Sequence, residues 1–149
     1  MSTVSGEALI HAPLHDVFAI ASDYRHWSEW FVGTSRFRPV TDLTRGTGTR
    51  YAYRVRVLGL SVPVETEVCD FVEDGGWRGV SRRGPRHETR WQFVPEGDGT
   101  RFTFRMDYEL PLVAKFLDRL FVRPEWQRVV QESAQNLKRR VEGCSGASA

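Results

Sequence analysis

The stretch TGTRYAYRVRVLGLSVPVETEVCDFVE, residues 47–73, shows the strand pattern of this chain most clearly. Apolar residues alternate with charged or polar ones on both sides of the turn Leu58-Gly59-Leu60. A period of two is typical of a strand with one buried face, and a short turn predicts an antiparallel hairpin. The charged residues then share one face: Arg50, Arg54, Arg56, Glu65 and Glu67. The hairpin is therefore expected to present one apolar face and one charged, solvated face.

The same alternation extends along the chain in both directions. Six strands are predicted over residues 35–43, 47–58, 61–73, 77–83, 86–95 and 100–110, and residues 3–11 add a seventh. Gly-rich turns separate the six, so neighbouring strands should pair as antiparallel hairpins. Asp70 falls on the apolar row of its strand, which predicts a β-bulge near residues 69–71.

Helical periodicity appears on both sides of this block of strands. Residues 14–22 and 25–31 predict two short helices, and residues 112–142 predict a long C-terminal helix. Pro124 should kink or break the long helix, because its ring lacks an N–H and clashes with the preceding turn. The tail 143–149 is rich in Ser, Gly and Ala and is expected to be disordered.

Composition limits the possible classes of protein. With 149 residues, 40% apolar and 27% charged, the chain has the size of one folded domain rather than a disordered segment. The net charge of +2 argues against a nucleic-acid partner. Neither a leader peptide nor an apolar run of spanning length is visible, which predicts a cytoplasmic protein without a membrane anchor. No metal-binding or nucleotide-binding motif occurs, so no metal and no cofactor are expected.

Two segments carry a family resemblance. HAPLHDVFAIASDYRHWSEWF (11–31) runs from a strand into Ala-Pro and a helix, and then places Asp23, Trp27 and Trp30 in the pattern D-x-x-x-W-x-x-W. RPEWQRVVQESAQNLKRRVE (123–142) is similar to a closing helix. Together with the order of elements, they resemble the START-like (SRPBCC, Bet v 1-type) superfamily and its polyketide cyclase/dehydrase-like branch.

The resemblance covers residues 1–142 and implies one α+β domain with a helix-grip fold. In that fold, a seven-stranded curved antiparallel sheet and two short helices surround a long C-terminal helix, with an apolar cavity between them. The 12% aromatic content fits such a broad apolar surface. We expect Trp27 and Trp30 to be packing anchors for the short helices.

The strand register predicts what faces the cavity. Centring each turn places Arg54 opposite Glu65, Arg83 opposite His87, and His87 opposite Tyr108. One end of the inward face is then aromatic: Trp77, Trp91, Phe93, Phe102 and Phe104. The other end carries a polar row: Tyr53, Thr66, Arg83, His87 and Tyr108. The candidate ligand-binding residues are Tyr51, Tyr53, Thr66, Val68, Trp77, Ser81, Thr89, Trp91, Phe104, Met106, Phe116 and Leu120.

Each of these assignments has a plainer alternative. The aromatic residues can equally be ordinary core. Arg83 and His87 lie beside the Gly84-Pro85 turn, where their side chains can instead point to solvent. A bulge in any strand would also reverse the assignment of faces that follows it.

Three functions remain open at this point. The first is the binding or carriage of a hydrophobic small molecule, such as a lipid or a polyketide-like metabolite. The second is a polyketide cyclase or dehydratase, in which Arg83 stabilises an enolate while His87 and Tyr108 move protons. The third is an interaction module without a ligand. The family's aromatase/cyclases carry an arginine on the strand that resembles residues 61–72, where this chain has an apolar row. The ligand and the oligomeric state are left open.

Overall fold

The computed structural model describes the backbone of residues 2–147 and the side chains of that range except those of residues 57, 113 and 144–147. Its strands are β1 (Ser2–Ile10), β2 (Thr34–Pro39), β3 (Arg50–Val57), β4 (Leu60–Val72), β5 (Gly76–Arg83), β6 (His87–Glu96) and β7 (Gly99–Tyr108). They form one antiparallel sheet in the order β1-β7-β6-β5-β4-β3-β2. The predicted seven-stranded helix-grip fold is confirmed.

Two groups of helical segments flank the sheet. The first comprises α1 (Leu14–Ala21), a 3₁₀ turn (Tyr24–His26) and α2 (Trp27–Trp30). The second comprises a 3₁₀ turn (Leu112–Ala114), α3 (Lys115–Leu117), a π turn (Asp118–Val122) and α4 (Arg123–Ala147). We call residues 111–122 the wall segment, because they close one side of the cavity described below.

The wall segment corrects the first part of the helix predicted over 112–142, which Pro124 was expected to kink or break. Short 3₁₀, α and π turns occupy residues 112–122, and the regular helix begins only at Arg123. Pro124 lies at the junction between the π turn, in which the Arg123 N–H donates to the Asp118 carbonyl, and α4, and its ring and missing N–H interrupt the α-helical hydrogen bonds there. The helix continues to Ala147, inside the tail that the sequence predicts to be disordered, and residues 148 and 149 lie outside the described part of the chain.

Helix α4 lies along β1 through bonds from its side chains to the strand backbone. The Gln127 and Gln131 amides donate to the carbonyls of Ser5 and Glu7 at 2.7 and 3.2 Å. Gly6 lies between those two residues, and a Cβ there would come within 2.8 Å of the α4 backbone. This close approach fixes the position of the helix across the sheet.

The predicted register is correct for β6–β7 and wrong by two residues for β3–β4, for β5–β6 and for most of β4–β5. His87 pairs with Tyr108 as predicted, but Arg54 pairs with Pro63 rather than with Glu65. A shift of two residues leaves the same side chains on each face, so the predicted faces survive wherever the shift is two residues. The bulge predicted near 69–71 is confirmed by a register shift between Cys69 and Val72.

The aromatic residues form the core at one end of the sheet. Trp27 of α2 stacks on Trp77 and meets Trp91 edge to face, with ring centroids 6.0 and 5.5 Å apart. Trp30 packs against Trp91 at 4.8 Å and against Phe102 at 5.9 Å. The expectation that Trp27 and Trp30 anchor the short helices is confirmed. The aromatic end of the sheet is therefore filled by the protein itself.

Candidate functional site

A cavity of about 600 Å³ occupies the opposite end of the sheet. It lies between the inner face of the sheet, the wall segment and the first turns of α4, and the β3–β4 and β5–β6 turns contribute to its rim. Its lining residues are Phe31, Tyr53, Val55, Leu58, Val64, Pro85, Arg86, His87, Met106, Tyr108, Glu109, Leu110, Pro111, Ala114, Leu117, Val122 and Trp126. The volume suits a small organic ligand.

The lining is mostly apolar because the alternation of the strands directs apolar side chains inward. Val55 and Val64 come from the paired strands β3 and β4, and Met106 comes from β7. Leu117 and Val122 of the wall segment close the opposite side. Such a surface favours apolar ligand groups and opposes the burial of an unpaired charge.

His87 is a half-buried titratable side chain of the cavity wall. Its Nδ1 lies 2.8 Å from the carbonyl oxygen of Pro85, and a carbonyl can only accept, so Nδ1 carries the hydrogen. Its backbone N–H donates to the Ser81 hydroxyl at 3.0 Å, which fixes the start of β6. Burial lowers the pKa of His87. The neutral ring therefore offers Nε2 to a ligand as a hydrogen-bond acceptor.

Two tyrosines complete the polar end of the cavity. Tyr53 stacks on Phe37 with ring centroids 4.3 Å apart, and burial raises the pKa of its phenol, an effect that the Thr66 hydroxyl partly opposes. Tyr108 donates to one carboxylate oxygen of Asp118, in the wall segment, at 2.5 Å. Burial and this carboxylate raise the pKa of Tyr108. Both phenols are therefore uncharged at neutral pH.

The Asp118 carboxylate joins the wall segment to two strands. Its second oxygen accepts from the Ser2 hydroxyl of β1 at 2.5 Å, while the first accepts from Tyr108 of β7. The Tyr108 hydroxyl already donates its hydrogen to Asp118, so Tyr108 can move a proton to a ligand only after this bond breaks. We call the three side chains the Asp118 tether.

Arg83 does not belong to the cavity, which corrects the sequence-based assignment. Its side chain is exposed at the end of β5, and its register partner is Glu65 of the charged outer face. The reason is a second bulge, between Glu65 and Thr66, that the sequence analysis does not predict. A bulge reverses the alternation beyond it, so Arg83 leaves the inward row.

The other predicted site residues divide into three groups. Tyr53, His87, Met106 and Tyr108 line the cavity as predicted. Buried elsewhere in the core or the sheet, and not lining the cavity, are Tyr51, Val68, Trp77, Thr89, Trp91 and Phe104. Half-buried beside the site are Thr66, next to Tyr53, and Ser81, which accepts from the His87 N–H.

Phe116 and Leu120 are a further correction, because they point outward and are 71% and 67% exposed. The broken helix changes the phase of the wall segment, so Leu117 and Val122 line the cavity instead. Sequence reasoning also omitted Trp126, although it lies on the apolar stripe of α4, and it omitted Val55 and Val64, which lie on the inward row beside Tyr53. The strand alternation already placed these two valines on the inward row, so the sequence could have identified them.

The rim of the cavity carries one ion pair. The guanidinium of Arg86 lies 3.3 Å from the Glu109 carboxylate, and both side chains are largely exposed. In the described part of the chain, no group of three or more His, Cys, Asp or Glu side chains could hold a metal ion. None of the described helices combines the length and the hydrophobicity that a membrane span requires.

The fold and its apolar cavity define the class: a START-like helix-grip protein with an internal cavity suited to a small molecule. Residues 1–142 match the family described as polyketide cyclase/dehydrase and lipid transport. The chain belongs to this family. Comparison with curated proteins finds no match for the sequence.

Solved structures show the same architecture. A protein from Thermus thermophilus is 27% identical, with a TM-score of 0.83 and coverage of 97% of this chain and 99% of that one. A START superfamily protein from Mycobacterium smegmatis is 19% identical, with a TM-score of 0.73 and coverage of 95% and 98%. The di-domain ARO/CYC protein StfQ of the steffimycin biosynthetic pathway is 12% identical, with a TM-score of 0.79, and 97% of this chain covers 51% of that one. At such identities the last two show the fold alone.

Proposed function

We propose that this protein binds a hydrophobic small molecule, such as a lipid or a polyketide-like metabolite, whose polar end is uncharged. The observation that carries the proposal is the cavity of about 600 Å³, apolar on most sides and neutral at its polar end. A ligand that buries about 300 Å² of apolar surface would gain roughly 7 kcal/mol before ordering costs, which is sufficient for a stable complex.

The polar end of the cavity restricts the ligand head group. A ligand hydroxyl can donate to Nε2 of His87, and a ligand carbonyl can accept from the phenol of Tyr53. Arg83 is outside the cavity, and Arg86 pairs with Glu109 at the rim. A carboxylate or phosphate head would lose its hydration without gaining a buried cation, which is unfavourable.

A competition assay tests both parts of the proposal. A neutral fluorescent probe, N-phenylnaphthylamine, is displaced in parallel by a long-chain alcohol and by the fatty acid of the same chain length. The alcohol should bind at least about tenfold more tightly than the ionised acid. Arg83→Ala should leave both affinities unchanged, whereas His87→Phe should weaken the alcohol alone. Tighter binding of the acid would contradict the uncharged head group, and failure of every ligand would favour an interaction module.

A cyclase or dehydratase activity is the second candidate, and the tautomer of His87 favours it. Nε2 is positioned as a base that can take a proton from a CH₂ group between two ketones. The resulting enolate carbon would attack a second carbonyl, whose oxygen takes up a proton, and loss of water would follow. Turnover of a poly-ketone surrogate that disappears in His87→Gln would support this activity. Turnover that survives the substitution would exclude His87 as the base.

A further inference from the structure

The outer face of the wall segment is the most apolar exposed surface beside the cavity. Four large side chains project from it: Leu112, Phe116, Leu120 and Phe121, which are 82%, 71%, 67% and 57% exposed. Large apolar groups at this exposure, clustered within ten residues, are typical of an interaction surface rather than of ordinary solvent-facing structure.

Cations accompany these apolar side chains. Lys115 and Arg119 lie one helical turn apart and are exposed, whereas the guanidinium of Arg123 donates to the Thr3 carbonyl of β1. Asp118 is the one acidic residue between positions 112 and 123, and its carboxylate is turned inward to the hydroxyls of Tyr108 and Ser2. The outward face therefore combines apolar groups with positive charge only.

The same segment also forms part of the cavity wall. Ala114, Leu117 and Val122 line the cavity. The exposed side chains therefore lie on the opposite face of the same segment, separated from the cavity only by its backbone. Across the rim, Leu58 lines the cavity while being 59% exposed, and its neighbour Leu60 is 71% exposed. Apolar side chains thus flank the cavity on two sides.

We propose that this face, Leu112, Lys115, Phe116, Arg119, Leu120 and Phe121, docks reversibly on an anionic lipid surface. Aromatic and leucine side chains enter the interfacial region of a bilayer, while lysine and arginine interact with anionic head groups. A neutral protein partner would leave Lys115 and Arg119 without a complementary charge, and a second copy of this face would place cation against cation. The charge pattern therefore favours the lipid surface. The docking does not depend on what occupies the cavity.

Cosedimentation with vesicles tests the proposal. The full chain should bind phosphatidylcholine vesicles that contain phosphatidylglycerol, bind pure phosphatidylcholine vesicles more weakly, and release as salt is raised. Phe116→Ser/Leu120→Ser and Lys115→Glu/Arg119→Glu should each lower the vesicle partition coefficient by about tenfold or more.

Matched controls replace residues of similar exposure on the outer sheet face. Val94→Ser, at a side chain 56% exposed, and Arg90→Glu should leave vesicle binding unchanged. The thermal midpoint of every variant should match that of the parent, since all of these side chains are exposed. Absence of binding to anionic vesicles, or binding that the wall-segment variants retain, would overturn the proposal. So would a dimer in solution that Phe116→Ser/Leu120→Ser dissociates in the absence of vesicle binding.

Discussion

Removal of one hydroxyl, in Tyr108→Phe, should release the wall segment without unfolding the sheet. Tyr108 is 5% exposed, and its hydroxyl donates to the Asp118 carboxylate at 2.5 Å, so water replaces it poorly. A hydrogen bond to a charged group contributes about 1.5–3 kcal/mol. Because Asp118 is only half-buried and keeps the bond from Ser2, we expect a loss near the lower limit.

The loss of stability in Tyr108→Phe should be confined mainly to the wall segment. A decrease of about 1.4 kcal/mol corresponds to a tenfold change in an equilibrium constant. Hydrogen exchange followed by mass spectrometry should therefore show about tenfold lower protection for amides of residues 115–122. The amides of β6 and β7 should keep their protection, because their ladder does not use this hydroxyl.

Tyr51→Phe is the matched control. It also removes a buried phenol hydroxyl, one that donates to the Thr44 carbonyl at 2.5 Å in the loop between β2 and β3. Its effect should appear in that loop and leave residues 115–122 unchanged. Equal loss of protection throughout the chain in Tyr108→Phe, or no loss in the wall segment, would refute the assignment of Asp118 as a tether.

Three further predictions concern His87, the cavity wall at Leu117, and the first residue of β5, Gly76. Burial lowers the pKa of His87 below 6.5, so the unfolded chain binds its proton first as the pH falls. Stability should therefore decrease below about pH 6.5, and urea titrations should show a flatter pH profile for His87→Gln. Leu117→Trp should fill part of the cavity and abolish N-phenylnaphthylamine binding at unchanged far-UV circular dichroism; full binding would place the probe elsewhere. Gly76→Ala should destabilise by about 3 kcal/mol or more, because Gly76 has φ +133° and a Cβ there would lie 2.0 Å from the Trp91 carbonyl oxygen. Gly59→Ala, at φ +84° in open space, should cost only about 1 kcal/mol; equal losses in the two variants would contradict the steric reason.

Most faces of the strands were predictable from sequence, but the exact pairing was predictable only for β6 and β7. The β3–β4 turn consists of Leu58 and Gly59, with φ of +49° and +84°. Two residues with positive φ make the tight turn that suits a hairpin, but leucine rarely adopts this conformation. Sequence reasoning therefore centred the turn one position too late, which shifted the pairing by two residues and left the faces intact.

The residues that line the cavity were harder to predict, because they depend on which inward side chains are covered by other parts of the protein. Alternation directs both aromatic and polar residues inward and does not distinguish a filled surface from an open one. The rings of Trp27 and Trp30 cover the aromatic end. Arg83 left the inward row through a bulge that no residue of its own strand signals. Tertiary packing and one irregular pairing therefore decided the site.

The wall segment connects the two proposals and also allows them to be separated. Its inner side chains, Leu117 and Val122, close the cavity, while Phe116 and Leu120 face outward. Tyr108→Phe should loosen this segment without altering its exposed face, so it should accelerate ligand exchange and leave vesicle binding unchanged. Phe116→Ser/Leu120→Ser should weaken vesicle binding and leave ligand affinity in solution unchanged. If each variant changed both ligand binding and vesicle binding, the inner and outer faces would not act independently. A single movement of the wall segment would then have to control both ligand binding and docking.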